Sequence, residues 1–318
     1  MDQLSRRSFL EKLSLSAGAL LAHQVRTVSG AAVQPEPHIS FPTTPRERVA
    51  IASYPFRAYI DSPTNRNRNR AAPGMDLTQF ASEVARKFDV HNIEPHSRHF
   101  RSLDSAYLGK FREQLAKANA KVVNIAVSLE ESFYDTDPVA RKKAVASAKT
   151  WVDVATSIGS PSIRAHIRPA SNAAPNLQRT VDTLREVTEY AADKNVVVNL
   201  ENDDLISEDA FFLVKVIEAV NHPYLRALPD FANSMLTGDA DFNDRALQAM
   251  FQHAYSICHV KDGEADDHGK LFRIDLKRAF DILKSSGYKG YCSIEFDEPG
   301  DPYAATTKLV EQTIRYLS

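Results

Sequence analysis

From Arg46 onward, short β-branched runs alternate with amphipathic helical runs, and the alternation repeats eight times. The runs that read as strands are Val49–Tyr54, Val90–Glu94, Lys121–Val127, Ser162–Ile167, Val196–Glu201, Leu225–Pro229, Ser256–Val260 and Gly290–Phe296. Helical patterns fall between them, over 76–88, 104–118, 138–157, 176–193, 207–220, 242–253, 274–286 and 302–317. In the first helix Leu77, Phe80, Val84 and Phe88 recur at helical spacing. Asp137-Pro138 reads as a cap followed by proline at the first helical position, and Ser207 before Glu208 and Asp209 marks another start. Gly159 and Gly287 stand just past helix ends. Strict alternation implies parallel pairing through right-handed crossovers. Eight units in about 270 residues point to a single-domain α/β fold, the closed (β/α)₈ TIM barrel. The rival, an open doubly wound sheet, carries a glycine-rich phosphate loop after its first strand. Here that position reads Tyr54-Pro55-Phe56-Arg57.

The segment before the barrel reads as an address. Ser5-Arg6-Arg7-Ser8-Phe9-Leu10 precedes an apolar stretch from Leu13 to Ala22, and small residues follow from Ser29 to Ala32. A charged start, a short apolar run and a small-residue end form an export signal too short to span a bilayer comfortably. The arginine pair resembles a twin-arginine signal. Residues 1–32 are therefore expected to be a twin-arginine signal peptide, 33–45 a proline-rich linker and 46–318 the barrel. The expected location is the periplasm or another exported compartment, with the export machinery as a partner and no stable membrane anchor.

Bulk properties narrow the class. Hydrophobic residues make up 43% of the 318 and charged residues 25%, which suits a globular domain with a large core. The formal net charge is −2 and no long basic run occurs, so no nucleic-acid footprint is visible. The two cysteines, Cys258 and Cys292, are too few for a disulfide framework, and their phase places them toward the helix layer.

Catalytic groups in such barrels sit at the C-terminal ends of strands. The fifth to eighth strands each put a metal-competent side chain there: Glu201, Asp230, His259 and Glu295. The separations are 29 residues from 201 to 230, 29 from 230 to 259 and 36 from 259 to 295, about one βα unit each. The four groups can thus meet at one point. Three clustered carboxylates repel and raise one another's pKa unless a cation compensates them. Oxygen ligands plus one imidazole suit Mn²⁺, Mg²⁺, Co²⁺ or Zn²⁺. Asp230 also has a second reading, as a helix cap.

The pattern resembles the xylose-isomerase-like superfamily of sugar isomerase and epimerase barrels. The likeness spans about residues 46–318 and is closest at His259-Val260-Lys261-Asp262 and at Gly287-Tyr288-x-Gly290-Tyr291-x-Ser293-Ile294-Glu295. It implies one divalent metal, Mn²⁺ foremost, held by Glu201, Asp230, His259 and Glu295. It also implies that Glu201 and Glu295 act as the catalytic acid/base pair around an enediolate. Many members carry histidine three residues after the sixth-strand aspartate. Here that residue is Asn233, which is a poor metal ligand but can hydrogen-bond a hydroxyl.

Polar groups near other strand ends suit a hydroxyl-rich substrate: Tyr54, His96, Arg164, His166 and Lys261, with Asn233. Glu94 and Arg164 have an alternative reading as an ion pair inside the barrel. The loop Asn65-Arg66-Asn67-Arg68-Asn69-Arg70 reads either as a polar lid or as a solvated loop. The expectation is an exported, metal-dependent sugar isomerase or epimerase acting on a small sugar or glycoside, with homo-oligomerisation possible. The alternatives are a lyase or dehydratase of keto-sugars or 3-keto-glycosides at the same site and, more distantly, a metal-dependent hydrolase of the abasic-site endonuclease type.

Overall fold

The structure, a computed structural model, describes residues 36–266 and 268–318. The signal segment expected over residues 1–32 lies outside the described residues.

Among the described residues, eleven strands run β1 (Val49–Ala52), β2 (Asn92–Glu94), β3 (Lys121–Val122), β4 (Ile125–Val127), β5 (Ser162–Ala165), β6 (Val197–Glu201), β7 (Leu225–Leu228), β8 (Ile257–Val260), β9 (Gly263–Ala265), β10 (Leu271–Arg273) and β11 (Tyr291–Ile294). Eight α-helices accompany them among the described residues: α1 (Leu77–Phe88), α2 (Ser105–Lys117), α3 (Pro138–Ile158), α4 (Leu177–Ala192), α5 (Ala210–Val220), α6 (Ala240–Phe251), α7 (Leu276–Ser285) and α8 (Pro302–Leu317).

Two parallel sheets, β3-β2-β1-β11-β8 and β4-β5-β6-β7, make up the barrel wall. Single bridges join them at both seams: His96 to Ala126 on one side, Ala227 to Ala254 and Asp230 to His259 on the other. The expected third strand is thus split. Asn124, between β3 and β4, is fully buried and donates to Glu94 Oε1 at 2.6 Å. The β9–β10 pair is a small antiparallel ribbon inserted after β8 that the sequence pattern did not announce.

Helix boundaries follow their caps. Asp137 caps α3 and Gly159 ends it at a φ of 78°, a left-handed conformation that suits glycine. Helix α5 begins three residues later than expected, at Ala210. Asp204 takes up the backbone N–H groups of Ile206 and Ser207, and Asp209 is the cap.

Side chains alternate along each strand with period two. Cys258, Val260, Cys292 and Ile294 belong to the apolar layer under the helices. Both cysteines are free and buried, with sulfurs 3.7 Å apart. The opposite phase of the same strands therefore faces the barrel interior, carrying Ile257 and His259 on β8, and Tyr291, Ser293 and Glu295 at β11. A small apolar cluster of Ala50, Val123, Leu228, Ile257 and Tyr291 fills one end of that interior, with Phe41 packed against it.

Residues 36–45 contain no helix or strand, yet they are held against this end. Tyr255 donates to Pro37 O at 2.8 Å, and the Phe41 ring meets Tyr255 and Tyr291 edge-on. Gly290 is required by close approach. A Cβ there would lie 2.5 Å from Tyr255 O and 2.6 Å from Ser256 O.

Candidate metal centre and active site

The four groups singled out at the ends of consecutive strands do converge. Glu201, Asp230, His259 and Glu295 each offer a ligand atom, and these atoms lie within 4.8 Å of one another in a buried cluster. His259 Nδ1 sits among the carboxylates, 2.6 Å from Glu201 Oε1, 3.0 Å from Glu295 Oε2 and 3.8 Å from Asp230 Oδ2. Burial alone would lower the His259 pKa. Glu201, Glu295 and Glu94 outweigh it and hold the pKa well above the ordinary value. Burial raises the Asp230 pKa to about 7, Lys261 opposing.

The donor set fits a divalent ion. Asp230 Oδ1 accepts the backbone N–H groups of Ala232 and Asn233, both at 2.8 Å, while Oδ2 is buried with no hydrogen-bond partner. That oxygen lies 3.5 Å from Lys261 Nζ and 3.8 Å from His259 Nδ1, within the buried cluster. Carboxylate oxygens with one imidazole are the ligands that Mn²⁺ and similar ions take.

His259 is gripped from behind. Its Nε2 lies 3.0 Å from Glu94 Oε2, and both side chains are fully buried. This fixes which nitrogen faces the cluster, as in other carboxylate–histidine–metal arrangements. Burial would raise the Glu94 pKa, but the His259 charge prevails and lowers it. The alternative reading of a Glu94–Arg164 ion pair is corrected, because each residue has another partner. Arg164 Nε lies 2.9 Å from Glu201 Oε2, and its guanidinium also reaches Asp203 Oδ2 at 3.7 Å.

Above the cluster is a cavity of about 290 Å³ lined by Glu201, Glu295, Tyr54, His96, Arg164, His166 and Lys261, among others. Six of those seven are polar or charged, and Tyr54 supplies the aromatic wall. Burial and Asp297 raise the Tyr54 pKa to about 12, so it is a neutral O–H donor. Arg57 stacks on that ring at 4.4 Å and pairs with Asp297 at 2.6 Å. His96 has both nitrogens engaged, Nδ1 by Arg98 N–H and Nε2 by Ser128 Oγ.

Asn233 is buried, its Oδ1 accepts from Lys261 Nζ at 2.9 Å, its Nδ2 has no hydrogen-bond partner, and it is not among the residues that line the cavity. It steadies Lys261, which does line the cavity. Lys261 is held further by Glu264 Oε2 at 2.9 Å on the inserted ribbon. Asn65, Arg66 and Asn67 line the cavity, so the arginine-asparagine loop forms part of its rim.

Two residues read otherwise from the sequence stand behind the site: Glu94, read as a partner of Arg164, backs His259, and Glu208, read as part of a helix start, backs His166. Glu94 carried the same signal as the others, a carboxylate closing a strand. Glu208 had no such signal, lying in a loop before α5.

Residues 83–318 match the family described as xylose isomerase-like TIM barrel. The chain belongs to that family. No curated protein matches it significantly. Solved structures share its barrel at low identity. A D-allulose 3-epimerase from Methylomonas sp., in complex with D-allulose, has a TM-score of 0.64 at 15% identity, with 87% of this chain and 99% of that one covered. A xylose isomerase-like TIM barrel protein from Mycobacterium smegmatis, in complex with magnesium, has a TM-score of 0.65 at 15% identity, with 85% and 96% covered. The 3-keto-D-glucoside 4-epimerase of E. coli has a TM-score of 0.61 at 14% identity, with 84% and 98% covered.

Proposed function

We propose that this xylose isomerase-like barrel is a divalent-metal-dependent sugar isomerase or epimerase that removes and returns a proton beside a substrate carbonyl. One observation carries the reading: Glu201 and Glu295 both border the cavity, and both also belong to the buried ligand cluster with Asp230 and His259. Structural neighbours that act on keto-sugars and keto-glycosides support it, as does the magnesium of a third. Mn²⁺ is the ion proposed, held by Glu201, Asp230, His259 and Glu295. Such an ion supplies Lewis acidity toward a substrate oxygen and positive charge to the cluster.

The remaining work falls to side chains. Glu201 and Glu295 come from β6 and the end of β11, with β7 and β8 between them around the wall. A sugar carbon between them meets one carboxylate on each side. One takes the proton and the other delivers a proton to the opposite face, which inverts the centre. Lys261 and Arg164 donate to substrate oxygens, and with His259 they outweigh burial and hold the Glu295 pKa below the ordinary carboxylate value. Tyr54 gives the ring an apolar face, and its O–H a hydrogen bond. The polar rim suits a hydroxyl-rich, uncharged sugar or glycoside.

The endonuclease-type alternative is disfavoured by Asn233, an amide and so a poor metal ligand where many members carry histidine. Export by the twin-arginine route is part of the proposal and rests on Ser5-Arg6-Arg7-Ser8-Phe9-Leu10.

The test is proton exchange in D₂O followed by NMR, with Mn²⁺-loaded protein and a panel of ketoses, aldoses and 3-keto-glycosides. The wild type should wash deuterium into the carbon beside the carbonyl, and Glu295→Gln should abolish the exchange while sugar binding persists. Undiminished exchange in Glu295→Gln overturns the mechanism.

A further inference from the structure

Proton transfer between two faces of one carbon needs two carboxylates, which leaves an acid–base pair on the same cavity without a task. Glu208 is fully buried in the loop between β6 and α5. Its Oε1 accepts the backbone N–H of Ile167 at 2.6 Å, which fixes the carboxylate. Its Oε2 lies 2.7 Å from His166 Nδ1, an ion-pair contact in which the N–H is off the hydrogen-bond line. His166 follows the end of β5 and lines the cavity shared by Glu201 and Glu295. Its ring is therefore backed by a carboxylate at Nδ1. Its Nε2 has no partner among the described residues and is not sealed from the cavity.

The surrounding charges act on this pair. Asp203 Oδ2 is 3.5 Å from His166 Nδ1, and the Arg164 side chain lies beside both acids. Burial would lower the His166 pKa, but Glu208 outweighs it and the pKa is raised. Burial pushes Glu208 up to about 7, with His166 opposing. The pair thus stores a proton at the cavity wall.

The geometry points to His166 as a general acid, oriented by Glu208 as a positioning residue, that protonates a leaving oxygen expelled from the carbon β to the carbonyl. This gives the barrel a lyase activity on keto-glycosides, and it rests on the enolisation proposed above. In a 3-keto-glycoside, a carboxylate takes the proton from C2, and the C–H electron pair forms the enolate. The C3 carbonyl re-forms, the C1–C2 double bond forms and the C1–O bond breaks. The departing oxygen takes its proton from His166 Nε2. The products are a 2-hydroxy-3-keto-glycal and an alcohol, with no net oxidation or reduction. Both protein groups return to their starting states by exchange with water.

The probes are methyl and 4-nitrophenyl 3-keto-β-D-glucopyranoside in D₂O, with Mn²⁺-loaded wild type, His166→Asn, His166→Gln and Glu208→Gln. C2 deuteration and release of the alcohol or phenol are read together, and a thermal melt checks that each variant is folded. The wild type should exchange C2 and cleave both probes. In both His166 variants methanol release should fall by about 10²–10⁴-fold relative to the C2 exchange read in the same reaction, the span of general-acid contributions. A nitrophenolate leaves without protonation, so their loss on that probe should be far smaller. Glu208→Gln should show the same leaving-group dependence with a smaller loss.

Several results overturn the proposal: C2 exchange in the wild type without cleavage of either probe, an equal loss on both probes, or a loss of exchange that parallels the loss of cleavage. Absence of C2 exchange on these and all other sugars in the wild type would instead bring down the enolisation reading beneath it.

Discussion

Replacing Glu94 with glutamine tests the second layer of the centre. The change is nearly isosteric, and the hydrogen-bond network decides its outcome. Ser256 Oγ donates to Asn199 Oδ1 at 2.8 Å, and Asn199 Nδ2 points at Asn124 Oδ1 at 3.3 Å. Ser162 Oγ also donates to Asn124 Oδ1, at 2.7 Å. Asn124 therefore presents its NH₂ to residue 94 and cannot turn over without losing two donors. A glutamine at 94 must give its carbonyl oxygen to Asn124, so its own NH₂ faces His259 Nε2. The imidazole then favours the tautomer protonated at Nδ1, the nitrogen that faces Glu201, Asp230 and Glu295. Metal binding must undo that preference. Lost outer-sphere carboxylates of this kind cost about 10–100-fold in metal affinity, or about 1.4–2.7 kcal/mol. Titration of apo protein with Mn²⁺ against a fluorescent chelator measures the change, and a thermal melt in EDTA confirms that the fold survives. Affinity within twofold of the wild type would refute the claim that Glu94 sets the His259 tautomer. An equal drop on changing Asn124 to leucine with Glu94 intact would place the effect in packing instead.

Removing the metal should lower the melting temperature, because an ion at one hundred times its Kd adds about 2.7 kcal/mol to stability. A differential scan with and without EDTA reads this, and coincident curves would argue against a bound ion. Acid should also destabilise the barrel through His99, whose pKa burial lowers from 6.5 to about 3. Ser53 Oγ accepts His96 N–H and lies 2.8 Å from His99 Nδ1, a hydrogen bond that the neutral ring can make. The unfolded chain then binds the proton more readily than the folded one. The contribution is complete above pH 6.5 and is lost as pH falls toward 3, amounting to about 2 kcal/mol by pH 5. Urea melts between pH 7 and pH 5 should show that slope, and His99→Gln should flatten it.

The barrel was legible because period-two burial and eightfold alternation are local signals. Once the inward phase of β6 is set by Glu201, and that of β8 and β11 by His259 and Glu295, the cluster follows from closure alone. What escaped the sequence depends on contacts across the barrel. Glu94 on β2 reaches His259 on β8, which are not neighbours in the wall, so no spacing along the chain encodes the contact. Glu208 reaches back to β5 from a loop after β6 for the same reason. The β9–β10 ribbon was missed because two three-residue strands hold too few positions to show a period. The Lys261–Asn233 hydrogen bond likewise joins residues from two different strand ends, and no spacing along the chain encodes it.

Asp230 is not a helix cap: Asp239 caps α6, and Ala232 is the residue before the short 3-10 turn Asn233–Thr237. A carboxylate has two oxygens, and here they have separate tasks. Oδ1 accepts the backbone N–H groups of Ala232 and Asn233 and so shapes the local turn after β7, and Oδ2 is left for the cluster. The two tasks can be separated. Asparagine at 230 keeps an oxygen for the turn and replaces the other by NH₂, which cannot bind a cation. Alanine removes both oxygens. In EDTA, Asp230→Asn should therefore melt within about 1 kcal/mol of the wild type, whereas Asp230→Ala should lose about 1 kcal/mol more for the two backbone N–H groups left without their acceptor. With Mn²⁺ present, both variants should fail to gain the stabilisation that the wild type gains. If Asp230→Asn still gained it, Oδ2 would not be a ligand, and the buried oxygen without a partner would need another explanation.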